Sequence, residues 1–217
     1  MLEIKLGKSK KLMLQMMLDR FNLPMNKLIL PMVFIVFGIL LGSISSNYLN
    51  ASEELEMHQY FSGFLNMVNV QTVDRGALFH QALTNNTKVY LLLLFMSISV
   101  IGIPFIYAII AVKGFIVGFT AGIAFKVLEA KGLAVVLCLI LPKELILLSA
   151  YILIAALGVA LCSKMIHMIL SSKKNGFEPE KNFIPKHMLK FIPCYVLLII
   201  GCFFEAFVCP VLLKMVL

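Results

Sequence analysis

At 217 residues the chain fits one composite domain, and 61% of it is apolar while only 14% is charged, where a soluble domain averages about 25% charged. That deficit excludes an ordinary soluble fold. The formal net charge of +8 does not point to nucleic acid either, because the basic residues sit in short segments between long apolar runs, the pattern that sets membrane topology.

Residues 1–27 carry Lys5, Lys8, Lys10, Lys11, Arg20 and Lys27 among Leu12, Met13, Met16, Met17 and Phe21, which reads as a basic amphipathic segment on the inner membrane surface. The segment is polar for too long to be a signal peptide, so the apolar run that follows is expected to stay attached as an anchor. That run, Leu28–Tyr48, is uncharged over 21 residues and can cross about 30 Å of hydrocarbon. Residues 49–88 then hold Glu53, Glu54, Glu56 and Asp74 against only Arg75 and Lys88, as suits an extracytoplasmic loop. Two patterns at helical spacing, Leu55, Phe61, Phe64, Leu65 and Val68, then Leu78, Phe79, Ala82 and Leu83, predict two amphipathic helices in this loop, lying on the membrane or on a partner. Val89–Val112 is uncharged over 24 residues and predicts the second span, with Pro104 tolerated inside it.

Beyond Lys113 the pattern is less regular. Gly114–Phe125 is uncharged but short, Lys126, Glu129 and Lys131 interrupt, and a second short run ends at Pro142 before Lys143 and Glu144. The loop 164–190 again holds six basic residues, so it belongs with the N-terminus on the cytoplasmic side. The chain must therefore cross an even number of times between Lys113 and Lys164. The reading is one short helix outward, 114–128, with Lys126 snorkelling to the outer interface, and a longer element, 132–163, that returns and is broken at Pro142. Phe191–Leu213 is the last span and encloses Glu205. The whole is an all-α polytopic membrane bundle of about five transmembrane helices with amphipathic surface helices. It comprises the 1–27 segment and a single membrane domain over 28–217. The alternative folds 114–142 as a re-entrant hairpin and leaves 164–190 outside.

Two small-residue patterns predict close helix packing. Gly38 and Gly42 form one GxxxG, and Gly114, Gly118 and Gly122 form a doubled one; intramolecular contacts are favoured over dimerisation. Lys113, Glu144 and Glu205 are candidate intramembrane polar residues, with Lys126 and Lys143 as further partners. A carboxylate inside a span must face the bundle and be paired or protonated; this serves either a structural polar contact or an ion pathway. No HExxH, GxSxG or phosphate-binding loop occurs, the histidines are scattered, and Cys138, Cys162, Cys194, Cys202 and Cys209 lie in apolar surroundings without metal spacing. No catalytic, cofactor-binding or metal-ligating set is legible.

Several stretches together resemble the stage II sporulation protein M family of bacterial membrane proteins. They are Asn85-Asn86 ahead of the second span, Gly102-Ile-Pro104 within it, and the glycine-rich run from Lys113 to Gly122. Pro142-Lys-Glu144 before an apolar helix and Phe204-Glu205-Ala206-Phe207 with Pro210 complete the likeness, which covers about residues 28–213. Lys143 stands where broader relatives often have a His-Gly pair, which favours the sporulation members. The resemblance implies a non-enzymatic scaffold of the endospore engulfment machinery, multi-pass in the septal and engulfing mother-cell membrane. It would recruit the peptidoglycan hydrolase stage II sporulation protein P, and through it protein D, for septal wall degradation and membrane migration. It implies no cofactor, no catalytic residue and no nucleic acid, with the lipid bilayer and these two proteins as partners. The rival reading is a small transporter or channel that uses Glu144 and Glu205.

Overall fold

The computed structural model describes residues 26–70, 74–99, 101–175 and 187–216, with the backbone alone for residues 26, 64–70, 127–131, 133–134, 171–175 and 213–216. The amphipathic segment expected at 1–27 lies outside the described residues except for its last two. All regular structure among the described residues is helical: α1 (Asn26–Ser45) with a 3-10 turn (Ser46–Tyr48), α2 (Ala51–Val70), α3 (Arg75–Ile98), α4 (Gly102–Val135), a π-helical turn (Val136–Ile140), α5 (Leu141–Asn175), α6 (Phe191–Phe207) and α7 (Cys209–Val216). In hydrocarbon each backbone amide needs an internal partner, and a helix supplies one within its own segment.

Four segments are long and apolar enough to cross a membrane: Lys27–Tyr48, Gly102–Lys126, Val136–Leu170 and Phe191–Leu212. A fifth helix, α3, runs antiparallel to α6 along the length of that span. Phe79 meets Phe203 and Phe207, Thr87 Oγ1 lies 3.1 Å from the Tyr195 hydroxyl, and the Tyr90 hydroxyl donates to the Phe191 carbonyl. The protein is therefore a polytopic helical membrane bundle. α5 is its central post: Ala150, Tyr151, Ile154, Ala155, Ala156 and Leu161 are buried, and the small residues among them let neighbouring helices come close.

The second span expected at Val89–Val112 is instead divided between the end of α3 and the start of α4. The chain turns between Ile98 and Gly102: Ser99 is extended and donates its N–H to the Met96 carbonyl. The Cys162 thiol reaches the carbonyls of Ser97 and Ser99 at 3.2 and 3.3 Å, satisfying orphan groups at the helix end. A Cβ on Gly102 would collide with the Met96 carbonyl, so only glycine fits this turn. The turn carries no charge, so counting charges runs straight through it. Pro104 falls in the first turn of α4, where its missing N–H breaks no bond. Two expectations change as a result. The helix read as 114–128 begins at Gly102, with Lys113 inside it rather than in an inner loop. The segment Leu78–Leu83 is the start of α3, with Ala82 buried and Phe79 and Leu83 packed on the core, and not a second surface helix.

The reversal expected after residue 128 occurs within α4. A Cβ on Gly132 would meet the Ala124 carbonyl and Phe125 Cα, although eight helical residues span about 12 Å. The chain thus doubles back over 127–131, and Ile123 and Ala124 pack against Val135 and Val136. Gly102–Lys126 is a full-length arm, where the re-entrant alternative required one beginning at 114. The interruption expected at Pro142 takes the form of the π-helical turn before it, in which Leu141 N–H bonds the Val136 carbonyl. Widening by one residue accommodates a proline that has no N–H to offer.

α1 and α4 pack side by side in parallel through their glycines. A Cβ on Gly38 or Gly42 would strike the carbonyls of Ala111 or Phe115. One on Gly114, Gly118 or Gly122 would strike the Ile35 carbonyl, the Ile39 carbonyl or the Ser46 hydroxyl. α2 lies across one end of the bundle. Glu53 accepts from Asn50 N–H at its start, Phe61 is buried against the tip of α4, and Glu54 pairs with Lys126 at 2.8 Å. Lys126 thus anchors α2 through Glu54, a partner the sequence reading did not name. The side chains of Phe64, Leu65 and Val68 lie outside the described residues.

Candidate functional site

Lys113 precedes Gly114, which faces Ile35 partway along α1, so the lysine enters the bundle near the middle of its span. Its Nζ donates to Asn86 Oδ1 of α3 at 3.3 Å. The Tyr151 hydroxyl of α5 donates to the same oxygen at 2.7 Å, and the ammonium lies 4.9 Å from the Tyr151 ring centroid, a cation–π contact. Asn86 Nδ2 donates to the Ala82 carbonyl at 2.9 Å and reaches Cys202 Sγ at 3.5 Å. The amide, 5% exposed, is therefore satisfied at both its oxygen and its nitrogen, the condition for burying such a group.

Towards the α2 end, Lys143 and Glu205 form an ion pair at 2.6 Å between α5 and α6. Glu144 stands beside Lys143 in the first turn of α5. Between these charges lies a cavity of about 220 Å3, ample for several waters. Its polar lining is Lys113, Lys143, Glu144, Glu205, Asn85, Asn86 and Thr120. Two lysines and two carboxylates balance in charge, and Lys143–Glu205 is the one direct ion pair among these described residues. Such a cleft can hold water or a small polar solute within the span.

The three intramembrane polar residues singled out in the sequence, Lys113, Glu144 and Glu205, thus come together in one cleft, with Lys143. The packing glycines lie apart from it, on the α1–α4 seam. Sequence reasoning named Asn86 only as part of the family likeness and gave it no place in the site, and it missed Tyr151, which with Asn86 fixes the Lys113 ammonium, and Thr120. The uncharged run from Val89 placed Asn86 just outside a span. The available signal was the helical period linking Ala82, Asn86, Tyr90 and Leu93, all now buried. The cysteines show no disulfide, and Cys162, Cys194, Cys202 and Cys209 are buried thiols.

Among protein families, Stage II sporulation protein M matches residues 31–210. No curated protein and no solved structure gives a match. The matched stretch runs from α1 into α7 and contains every polar residue of the cleft. The chain belongs to the stage II sporulation protein M family and is a sporulation membrane protein.

Proposed function

We propose that this protein is a non-enzymatic scaffold of engulfment, seated in the septal and then the engulfing mother-cell membrane, where it holds peptidoglycan hydrolases against the wall. The family match over residues 31–210 carries the reading, and stage II sporulation proteins P and D are the proposed partners. The distribution of basic residues supports an orientation with α2 outside and the 164–190 loop in the cytoplasm. α2 then offers a contact surface beyond the bilayer. Tyr48, Leu55 and Tyr60 are 82%, 60% and 70% exposed beside Glu53 and Glu56, a mixture of aromatic and polar groups that suits protein recognition.

The test is co-purification from sporulating cells of stage II sporulation protein P with the tagged full chain. The wild type should retain the hydrolase, and a Leu55→Ser, Tyr60→Ser variant at equal membrane level should lose most of it. Absence of the hydrolase from the wild-type complex would overturn the scaffold. The charged cavity favours one second reading, a small transporter or channel. Flux of protons or small ions into proteoliposomes, abolished by Glu205→Gln, would establish that reading instead.

A further inference from the structure

We propose that the half of α3 nearest α2 is a docking face for a transmembrane helix of a different chain, which presents a carboxylate to Lys88. Gln81, Thr84, Asn85 and Lys88 fall at i, i+3, i+4 and i+7, one face of the helix, and all four are exposed on the bundle surface. Farther along, the exposed residues of α3 become Leu91, Leu92 and Phe95, as a lipid-facing surface requires. The exposed side of α1 is apolar from Ile29 to Leu41, with Val33, Val36, Phe37 and Leu40 turned outward. The polar stretch lies level with apolar segments long enough to cross a membrane. Asn86 bonds Lys113, Lys113 adjoins Gly114, and Gly114 rests on Ile35 within the first span. Lys88 is half a turn still deeper.

Exposed amides and an ammonium at hydrocarbon depth are costly and need partners. Among the described residues, none of these four side chains makes a hydrogen bond or ion pair with another. Snorkelling relieves only the lysine; it leaves Gln81 and Thr84 facing lipid and Asn85 at the rim of the cavity. Lipid supplies no hydrophobic drive for helix association, so polar groups of this kind are what join one membrane helix to another. A second copy fits poorly, because a two-fold contact through this face sets Lys88 against Lys88 in a low-dielectric setting. A foreign helix with a carboxylate supplies the missing charge, and its amide or hydroxyl neighbours can meet Asn85 and Thr84. The face also borders the mouth of the cleft. Asn85 and Ile116 are exposed and line the cavity as well, so the docked helix would cover its opening. This inference does not depend on the partner being a hydrolase.

The test uses the purified full chain in phosphatidylcholine vesicles, titrated with leucine-rich transmembrane peptides that carry one central Glu, Gln or Leu. Energy transfer should report the Glu peptide binding about tenfold tighter than the Leu peptide. That preference should vanish in Lys88→Leu and survive in Phe95→Leu. The Lys88 side chain is exposed and makes no hydrogen bond or ion pair among the described residues, so its variant should fold as the wild type does. A photo-crosslinker at Thr84 should capture the Glu peptide, and one at Val33 should not. Equal binding of the Glu and Leu peptides, or a preference that outlasts Lys88→Leu, would overturn the proposal. So would self-association of the wild type that disappears in Lys88→Leu, because it would give this face to a second copy.

Discussion

Lys143 and Glu205 show what an intramembrane charge requires of its surroundings. Their side chains are 21% and 27% exposed, so both ions are largely withdrawn from water while keeping one edge on the cavity. A buried ion pair adds little over an apolar pair of the same volume, but losing one partner strands a charge at a cost of about 3–5 kcal/mol. Glu205→Ala should therefore lower membrane accumulation and thermal stability in detergent. Glu205→Gln keeps a hydrogen bond to Lys143 and should cost less, about 1–3 kcal/mol. A joint Lys143→Met, Glu205→Met variant should recover most of the loss, since no charge is left uncompensated. A proton route through Glu205 predicts a different ranking, because glutamine cannot exchange a proton. Function equally absent in the Gln and Ala variants at normal protein levels would refute a purely structural pair. Asn86 has no such freedom: it joins α3, α4 and α5 through Lys113 and Tyr151, and no apolar residue of its size can replace its acceptor.

At the scale of elements, spans dominated by composition were legible in the sequence, and turns were not. Leu28–Tyr48 matches α1 with its 3-10 turn because charge brackets the run, and Phe191–Leu213 covers α6 and the start of α7 across a break at Val208 that was not foreseen. The turn after Ile98 left no such mark: its residues are Ser, Val, Ile and Gly, and it is held by a collision only glycine avoids and by a thiol from α5. Missing it displaced Lys113 from mid-helix to a loop and hid Asn86; four segments, not five, are long and apolar enough to cross by composition alone. Glu144 and Glu205 could be named from sequence because carboxylates are rare in apolar runs, whereas Tyr151 enters the cleft only through three-dimensional packing. The α1–α4 seam gives the sharpest test at this scale. Gly118→Ala places a methyl into the Ile39 backbone, where only a backbone shift can relieve it, so a loss of about 1–3 kcal/mol is expected. Gly63, in α2, has nothing within 4 Å of a built Cβ. Gly63→Ala should stabilise slightly, by about 0.5–1 kcal/mol, through helix propensity. Detergent unfolding midpoints that move together in the two variants would contradict a glycine-dependent seam.

For the molecule as a whole, orientation decides what the cleft can meet. α1, α4 and α6 run in one direction and α3 and α5 in the other, so the ends of the bundle are distinguished by α2 at one and by Lys164 and Lys190 at the other. If the basic end is cytoplasmic, the Lys143–Glu205 pair and the cavity lie in the outer half of the membrane, within reach of extracytoplasmic partners; if reversed, they face the cytoplasm. Single-cysteine labelling in intact cells separates the two. Four of the native thiols are buried and Cys138 is only partly exposed, so Cys138→Ala gives a nearly silent background for a bulky, impermeant maleimide. Ser52→Cys, at the exposed start of α2, should react in intact cells. Leu189→Cys, at a position 68% exposed ahead of α6, should react only after permeabilisation. Labelling of Leu189→Cys from outside would invert the bundle, place α2 in the cytoplasm and remove the surface on which the proposed wall hydrolases dock. Labelling of both sites from outside would break the parity of the helices between them and require one of α3, α4 or α5 to enter the membrane without crossing it. The antiparallel contacts of α3 with α6 speak against this, because a helix matched to a spanning neighbour from Phe79 to Tyr90 has no room to turn back.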